Sequence, residues 1–220
     1  SPGGKASAAQ FKLAHQNSRE VVLHLPLEPI NYPQINPGEG TLLVTMTPAQ
    51  ISGRVRRYLD QSGGAVAVSN HLGSLATQDM AVMTAVFKEL KHARLPFVHV
   101  LPAPGAVCRS LASSMGVAYD APHAVLDAET RGGSPTALDA GWKALRARAL
   151  EERQLMVWVR VRPLTRQWLT RIQNPKQLGD VQLVPLSAIL RRPGELLPGL
   201  FMTRGLRNDK LLLTNDKSLR

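Results

Sequence analysis

Residues 20–29 read EVVLHLPLEP, an apolar and β-branched run that leads into a histidine, two prolines and a glutamate. Such runs are typical of buried strands, so we predict a strand over residues 20–25. A second run, GAVAVSNHLGS at residues 64–74, also places a histidine directly after a short apolar strand at residues 65–69. In α/β sheets, chemistry gathers where the carboxyl ends of strands converge. These two histidines are therefore the first candidate functional residues.

The same alternation of strands and helices continues along the chain. Thr47 followed by Pro48 is typical of a helix start, with an N-cap residue and then proline in the first turn. Further strands are predicted at residues 96–101, 117–119, 124–126, 155–161 and 181–184, and helices at 8–17, 47–61, 77–93, 105–115, 134–152 and 164–173. Strands that alternate with helices of this length indicate parallel βαβ units, so the fold class is α/β.

The organisation along the chain is one domain with two flanking segments. We expect a flexible lead at residues 1–7, a domain at residues 8–190 and a basic tail at residues 191–220, where proline and glycine recur. No apolar run reaches the roughly 18 residues of a membrane span. The single cysteine, Cys108, excludes an intramolecular disulfide and a zinc site with several cysteines.

The net charge of +11 is concentrated in the last third of the chain. Residues 141–176 hold nine basic and two acidic side chains. A polyanion is one partner for such a surface, and we expect contacts from Lys143, Arg146, Arg148 and Arg153. The alternative is a solvated helix face. Aromatic residues make up only 5% of the chain, which leaves few platforms for stacking single-stranded nucleic acid.

Candidate metal ligands lie in both strand-end motifs. In HLPLEP, Glu28 follows His24 by four residues, and imidazole and carboxylate groups both suit Zn²⁺. In NHLGS, His71 lies between polar residues, Asn70 on one side and Ser74 further on. A lone histidine at a strand end is more often a hydrogen-bonded structural residue, and that alternative stays open for both.

Several stretches of this sequence together resemble the divergent polysaccharide deacetylase family. They are EVVLHLPLEP, the Pro/Gly loop that leads to GTLL, GAVAVSNHLGS, and the VPLSAIL ending. The resemblance covers residues 8–190 and implies a distorted or incomplete (β/α) barrel with mostly parallel strands. It also implies a divalent metal, Zn²⁺ by expectation, whose bound water attacks an N-acetyl group of a glycan substrate. A periplasmic or extracellular location is implied as well.

The resemblance also assigns roles to residues of this sequence. It implies metal ligation by His24, Glu28 and His71, a catalytic role for His71, and substrate binding by Asn70 and Ser74.

Several positions depart from the family pattern. The family's opening strand, which ends in an Asp-Asp motif, has no match, because no aspartate precedes Asp60. His99 stands where the family has an aspartate, Arg160 stands where it has a histidine, and Asp127 remains as an acidic strand-end residue. Enzyme activity therefore stays open. One alternative is a metal-dependent N-deacetylase, and the other is an inactive scaffold that binds a polyanion or a larger assembly. The missing strand would come from upstream sequence or from a partner polypeptide.

Overall fold

The computed structural model describes residues 5–126 and 134–190, and it confirms the α/β fold class. The elements alternate along the chain as the sequence predicts. The strands are β1 (Val22–Leu27), β2 (Ala67–Leu72), β3 (Phe97–Val98), β4 (Tyr119–Asp120), β5 (Ala124–Leu126) and β6 (Val157–Val159). The helices are α1 (Lys5–Gln16), α2 (Pro48–Ser62), α3 (Met80–Ala93), α4 (Cys108–Met115), α5 (Pro135–Glu152), α6 (Pro163–Ile172) and α7 (Pro175–Leu178), with 3₁₀ turns at Ala76–Gln78 and Leu186–Ala188.

The strands form two parallel sheets. One has the order β1-β2-β3-β4, and the other pairs β5 with β6. Helices α2, α3 and α4 connect successive strands of the first sheet, and α5 connects β5 to β6. This is the (β/α) arrangement of a distorted barrel, in which all strands deliver their carboxyl ends to one side.

The largest part of the core lies between the first sheet and its helices. Leu23, Leu25 and Leu27 of β1 are fully buried, as are Val55 of α2 and Met83 of α3. A separate cluster joins the second sheet to α5 and α6 through Leu126, Leu138, Leu145, Trp168 and Ile172. Each sheet is therefore fixed by its own helices.

The predicted start of α2 is confirmed in detail. Thr47 has extended backbone angles, its hydroxyl accepts from the Gln50 N–H, and the Gln50 side chain accepts from the Thr47 N–H. Proline then occupies the first turn, where its missing N–H costs nothing. Helix α3 instead begins after Asp79, whose carboxylate caps the N–H of Val82.

Strand β1 continues through Pro26, beyond the predicted end at residue 25. In the described part of the chain β1 is an edge strand, and the carbonyl of Pro26 accepts from the N–H of Leu42 on its outer side. An edge position tolerates proline because the missing donor would face away from the neighbouring strand.

The predicted strand at residues 181–184 is wrong. This segment has no regular structure, its Leu183 is more than half exposed, and the Val181 N–H closes a turn onto the Leu178 carbonyl. Apolar residues between Gly179 and Pro185 gave it a strand-like pattern, but no described strand pairs with it. The predicted tail at residues 191–220, part of the lead and Asp127 lie outside the described residues. None of the described helices is long and apolar enough to cross a membrane.

Candidate glycan cleft at the strand ends

A cleft of about 800 Å³ opens at the carboxyl ends of β1, β2, β3 and β6. It lies where both sheets meet, so residues far apart in sequence share its walls. Its polar and aromatic lining includes His24, Asn70, His71, Ser74, Thr77, His99, Trp158, Arg160 and Arg162. Ligands of α/β proteins bind at this end of the strands.

His24 and His71 come together in this cleft, as their strand-end positions predict. The parallel register places His24 beside Ser69 and puts His71 two residues further along β2. The two imidazole centroids are 5.4 Å apart. Trp158 belongs to the other sheet, and its ring centroid lies 5.1 Å from that of His24. His24 Nδ1 and the Ser69 hydroxyl share a hydrogen bond of 2.6 Å. This bond fixes the orientation of the His24 ring.

Both imidazoles are uncharged near neutral pH. Burial lowers the pKa of His24 to about 4, and the nearby His71 lowers it further. Burial also lowers the pKa of His71, and the positive charge of Arg160 acts in the same direction. A neutral imidazole keeps one nitrogen able to accept a proton or bind a metal.

Glu28, which the resemblance implies as a metal ligand, is hydrogen-bonded to backbone groups. Its carboxylate accepts from the Val44 N–H at 2.6 Å, and its carbonyl accepts from the N–H groups of Leu75 and Ala76. It is absent from the described lining of the cleft. Glu28 therefore ties the segment after β1 to the segments around Val44 and Ala76.

The described residues do not fit the expected three-ligand zinc site. The imidazole pair could supply two nitrogens, but the carboxylate of Glu28 is held by backbone, and Arg160 brings positive charge to His71. Over residues 5–126 and 134–190, no three His, Cys, Asp or Glu side chains gather closely enough to hold a metal ion. We derive no chemical step through a metal, and Zn²⁺ stays a prediction.

Asn70 lies at the cleft, but its side chain is used within the protein. Its amide nitrogen donates to the carbonyls of Leu72 and Val100, each at 2.9 Å, and its amide oxygen accepts from the Val100 N–H at 2.7 Å. The residue is only 5% exposed. Asn70 therefore joins the ends of β2 and β3, whereas the sequence suggested substrate binding.

Ser74 lines the cleft, as expected of a substrate-binding residue. Its hydroxyl oxygen accepts from the N–H of Ile30 at 3.0 Å, and the hydroxyl proton has no partner among the described residues. Beside it, Gly73 adopts a φ of +96°, and a Cβ there would lie 2.6 Å from Leu27 Cβ. Glycine at this position lets the loop after β2 pass close to the end of β1.

Trp158 is a cleft residue that the sequence reasoning missed. It lies in β6, two residues before Arg160, and both line the cleft. The alternation of side chains along a strand was the available signal, because a strand places residues i and i+2 on the same face.

The four expected polyanion contacts on and after α5 differ in their surroundings. Lys143 and Arg153 are exposed, whereas the Arg146 guanidinium lies against the backbone of Gly179. Arg148 pairs with Glu152 at 2.5 Å and donates to the His123 carbonyl. Two of the four side chains are therefore already engaged within the chain.

Comparisons with known proteins agree with the predicted family and fold. The family model for divergent polysaccharide deacetylases matches residues 1–190. An uncharacterized protein of Haemophilus influenzae is 28% identical over 126 residues, which are 57% of this chain and 44% of that protein. The uncharacterized protein YibQ of Escherichia coli is 27% identical over 104 residues, 47% of this chain and 32% of that protein. The chain thus spans less than half the length of the curated relatives it matches.

A solved structure shares the fold. The crystal structure of an uncharacterized protein of Agrobacterium tumefaciens superposes with a TM-score of 0.74 at 18% identity, covering 84% of this chain and 74% of that one. The match of the family model over residues 1–190 shows that the chain belongs to the divergent polysaccharide deacetylase family.

Proposed function

We propose that this domain binds an N-acetylated glycan in the cleft and that the His24–His71 pair handles the proton when the acetamido group is hydrolysed. The observation that carries the proposal is the contact of the two imidazoles, 5.4 Å apart, at the strand ends of a deacetylase-family fold. Family membership supplies the substrate class and the reaction type.

The shape and lining of the cleft support sugar binding. A volume of about 800 Å³ accommodates more than one sugar unit, and Trp158 contributes an aromatic ring to one wall. The flat apolar face of a pyranose ring packs well on an indole. The Ser74 hydroxyl, in the loop after β2, adds a hydrogen-bonding group to the lining of the cleft.

The protonation state of the pair supports its chemical role. Hydrolysis of an amide needs a group that takes a proton from water and a group that returns one to the leaving nitrogen. His71 is neutral at pH 7 and half-buried, so its free nitrogen can take the proton from water and then return that proton to the leaving nitrogen. His24 contacts its ring and is itself oriented by Ser69, so it acts as the positioning partner.

The test measures binding and hydrolysis separately on the full chain. Calorimetry with an N-acetylglucosamine tetramer is expected to show binding, weakened roughly three- to tenfold by Trp158→Leu. Trp142→Leu is the matched control, because that indole packs on Trp168 away from the cleft. Absence of tetramer binding by the unmodified chain would refute the proposal.

Acetate release is assayed with added Zn²⁺ and with chelator. We expect the unmodified chain to release acetate and His71→Asn to abolish the release. His92→Asn is the control, because it changes an exposed histidine of α3, and it should leave acetate release intact. Binding without acetate release under either condition would reduce the domain to a glycan-binding module.

Polyanion binding through the basic segment is the second candidate. It is supported by the charge of residues 141–176 and by the exposure of Lys143 and Arg153. Salt-dependent retention on heparin tests it, because a polyanion contact weakens with rising salt.

A further inference from the structure

His99 is a buried imidazole beside the cleft for which the proposed reaction has no use so far. It directly follows β3, is 1% exposed and lines the cleft. Its Nδ1 meets the Tyr119 hydroxyl at 3.0 Å. Its Nε2 is buried, and no described residue offers it a hydrogen-bond partner.

The neighbours of His99 determine which ring nitrogen carries the proton. Arg109 lies over the Tyr119 ring, with its guanidinium carbon 5.1 Å from the ring centroid. The Tyr119 hydroxyl has His99 Nδ1 as its hydrogen-bond partner among the described residues, so the proton of the phenol is directed to that nitrogen. Burial, aided by Arg109, lowers the pKa of His99 to about 4, so the ring carries a single proton at neutral pH. That proton is on Nε2.

Nearby groups cannot serve the same purpose, because they are already paired. Asn70 holds both the N–H and the carbonyl of Val100, and the His99 N–H donates to the Asp120 carbonyl. Nε2–H is therefore a buried donor at the end of β3 for which the described residues offer no acceptor. A buried donor without a partner is costly, and in native proteins such a group is explained by a bound water, an ion or a functional role.

We propose that His99 is a specificity-determining residue whose Nε2–H donates to the carbonyl oxygen of the ligand's acetamido group. The proposal rests on the proposed function for the identity of the ligand. A group fixed as a donor selects an acceptor oxygen and rejects an ammonium, since the two would place protons against each other. The cleft would then distinguish an N-acetylated sugar from its deacetylated product.

Two amide variants separate the ring positions. His99→Gln places an amide nitrogen near the position of Nε2, whereas His99→Asn places one near Nδ1 and leaves the Nε2 position empty. Calorimetry of the full chain with an N-acetylglucosamine tetramer should show a five- to tenfold rise in Kd for His99→Asn and less than a twofold change for His99→Gln. With a glucosamine tetramer as the probe, His99→Asn should bind at least as tightly as the unmodified chain, because the donor that would face the ammonium is gone, whereas His99→Gln should match the unmodified chain.

The outcomes separate this proposal from the one on which it rests. Failure of the unmodified chain to bind the tetramer refutes both. Tetramer binding that is unaffected in both variants overturns the role of His99 alone. So does binding that both variants lose equally while their thermal unfolding midpoints match that of the unmodified chain. Nitrogen-15 NMR gives an independent reading, because the proposal requires a protonated Nε2. A proton on Nδ1 would overturn it, and Tyr119→Phe should convert the single tautomer to a mixture.

Discussion

Exchanging the amide of Asn70 for a carboxylate tests whether this residue joins two strands or binds ligand. Asn70→Asp keeps the size of the side chain and keeps an acceptor for the Val100 N–H. It removes the amide N–H groups that donate to the carbonyls of Leu72 and Val100, and it places a carboxylate oxygen next to both carbonyl oxygens. The site is 5% exposed, so water cannot replace the lost bonds.

The expected cost follows from those contacts. Two hydrogen bonds are worth about 1 kcal/mol each, and a charge facing two carbonyls in a buried site adds a further 1–3 kcal/mol. We therefore expect a loss of about 3–5 kcal/mol in the free energy of unfolding at pH 8, a large part of a typical domain's stability. Burial and the carbonyls raise the pKa of the new carboxyl above its ordinary value of about 4.

A raised pKa fixes the direction of the pH dependence. The folded variant binds its proton more tightly than the unfolded chain does, so its stability is retained below about pH 4 and falls as pH rises through the folded-state pKa. Urea unfolding at several pH values, with linear extrapolation, measures the difference from the unmodified chain. Asn36→Asp is the matched control, since the Asn36 side-chain oxygen accepts from the Gly38 N–H at an exposed site and an aspartate can do the same.

The refuting result is specific. If Asn70→Asp unfolds within about 0.5 kcal/mol of the unmodified chain and yet loses glycan binding, Asn70 is a ligand residue, as the sequence suggested, and the strand-joining role is wrong.

Three further outcomes are expected. Gly73→Ala should cost about 2–4 kcal/mol in urea unfolding, because φ is +96° and the new Cβ meets a β1 side chain at 2.6 Å; a cost below 0.5 kcal/mol would contradict this. The protein should lose on the order of 2 kcal/mol of its free energy of unfolding as pH falls from 6.5 to 4, because the pKa of His24 is lowered from 6.5 to about 4 and the unfolded chain binds the proton more tightly. A His24 pKa near 6.5, measured by NMR titration of the folded protein, would contradict this. Replacing Lys143 and Arg153 by glutamine should lower the salt needed to elute the chain from heparin, whereas Arg148→Gln should change it little, and equal effects would argue against a surface confined to the exposed cations.

The sequence predicted the fold because its signals are local. The β-branched run before His24 and the Thr47-Pro48 start of α2 specify a strand and a helix with no need of distant residues. The segment at residues 181–184 has the same kind of apolar pattern, but it forms no strand, because a strand also requires a neighbour to pair with.

The sequence predicted only those features of the candidate site that follow from the positions of the strand ends. His24 and His71 follow neighbouring parallel strands, so their meeting follows from topology. The orientation of the Glu28 side chain is set by the backbone of Val44, 16 residues away, and that of the Asn70 side chain by the backbone of Val100, 30 residues away. No local sequence pattern reveals contacts of this kind. The same holds for Trp158, which reaches the pair from the other sheet.

The electrostatics of the cleft favour a sugar over a bare divalent cation. Burial keeps His24 and His71 uncharged, and Arg160 adds a positive charge that further lowers the pKa of His71. Whatever opposes a proton on His71 also opposes a metal ion beside it, since both bring positive charge to the same ring. A glycan brings no such charge. Acetate release that depends on Zn²⁺ would therefore contradict this electrostatic argument, because the described residues bring no negative charge to the imidazole pair to offset that of the ion.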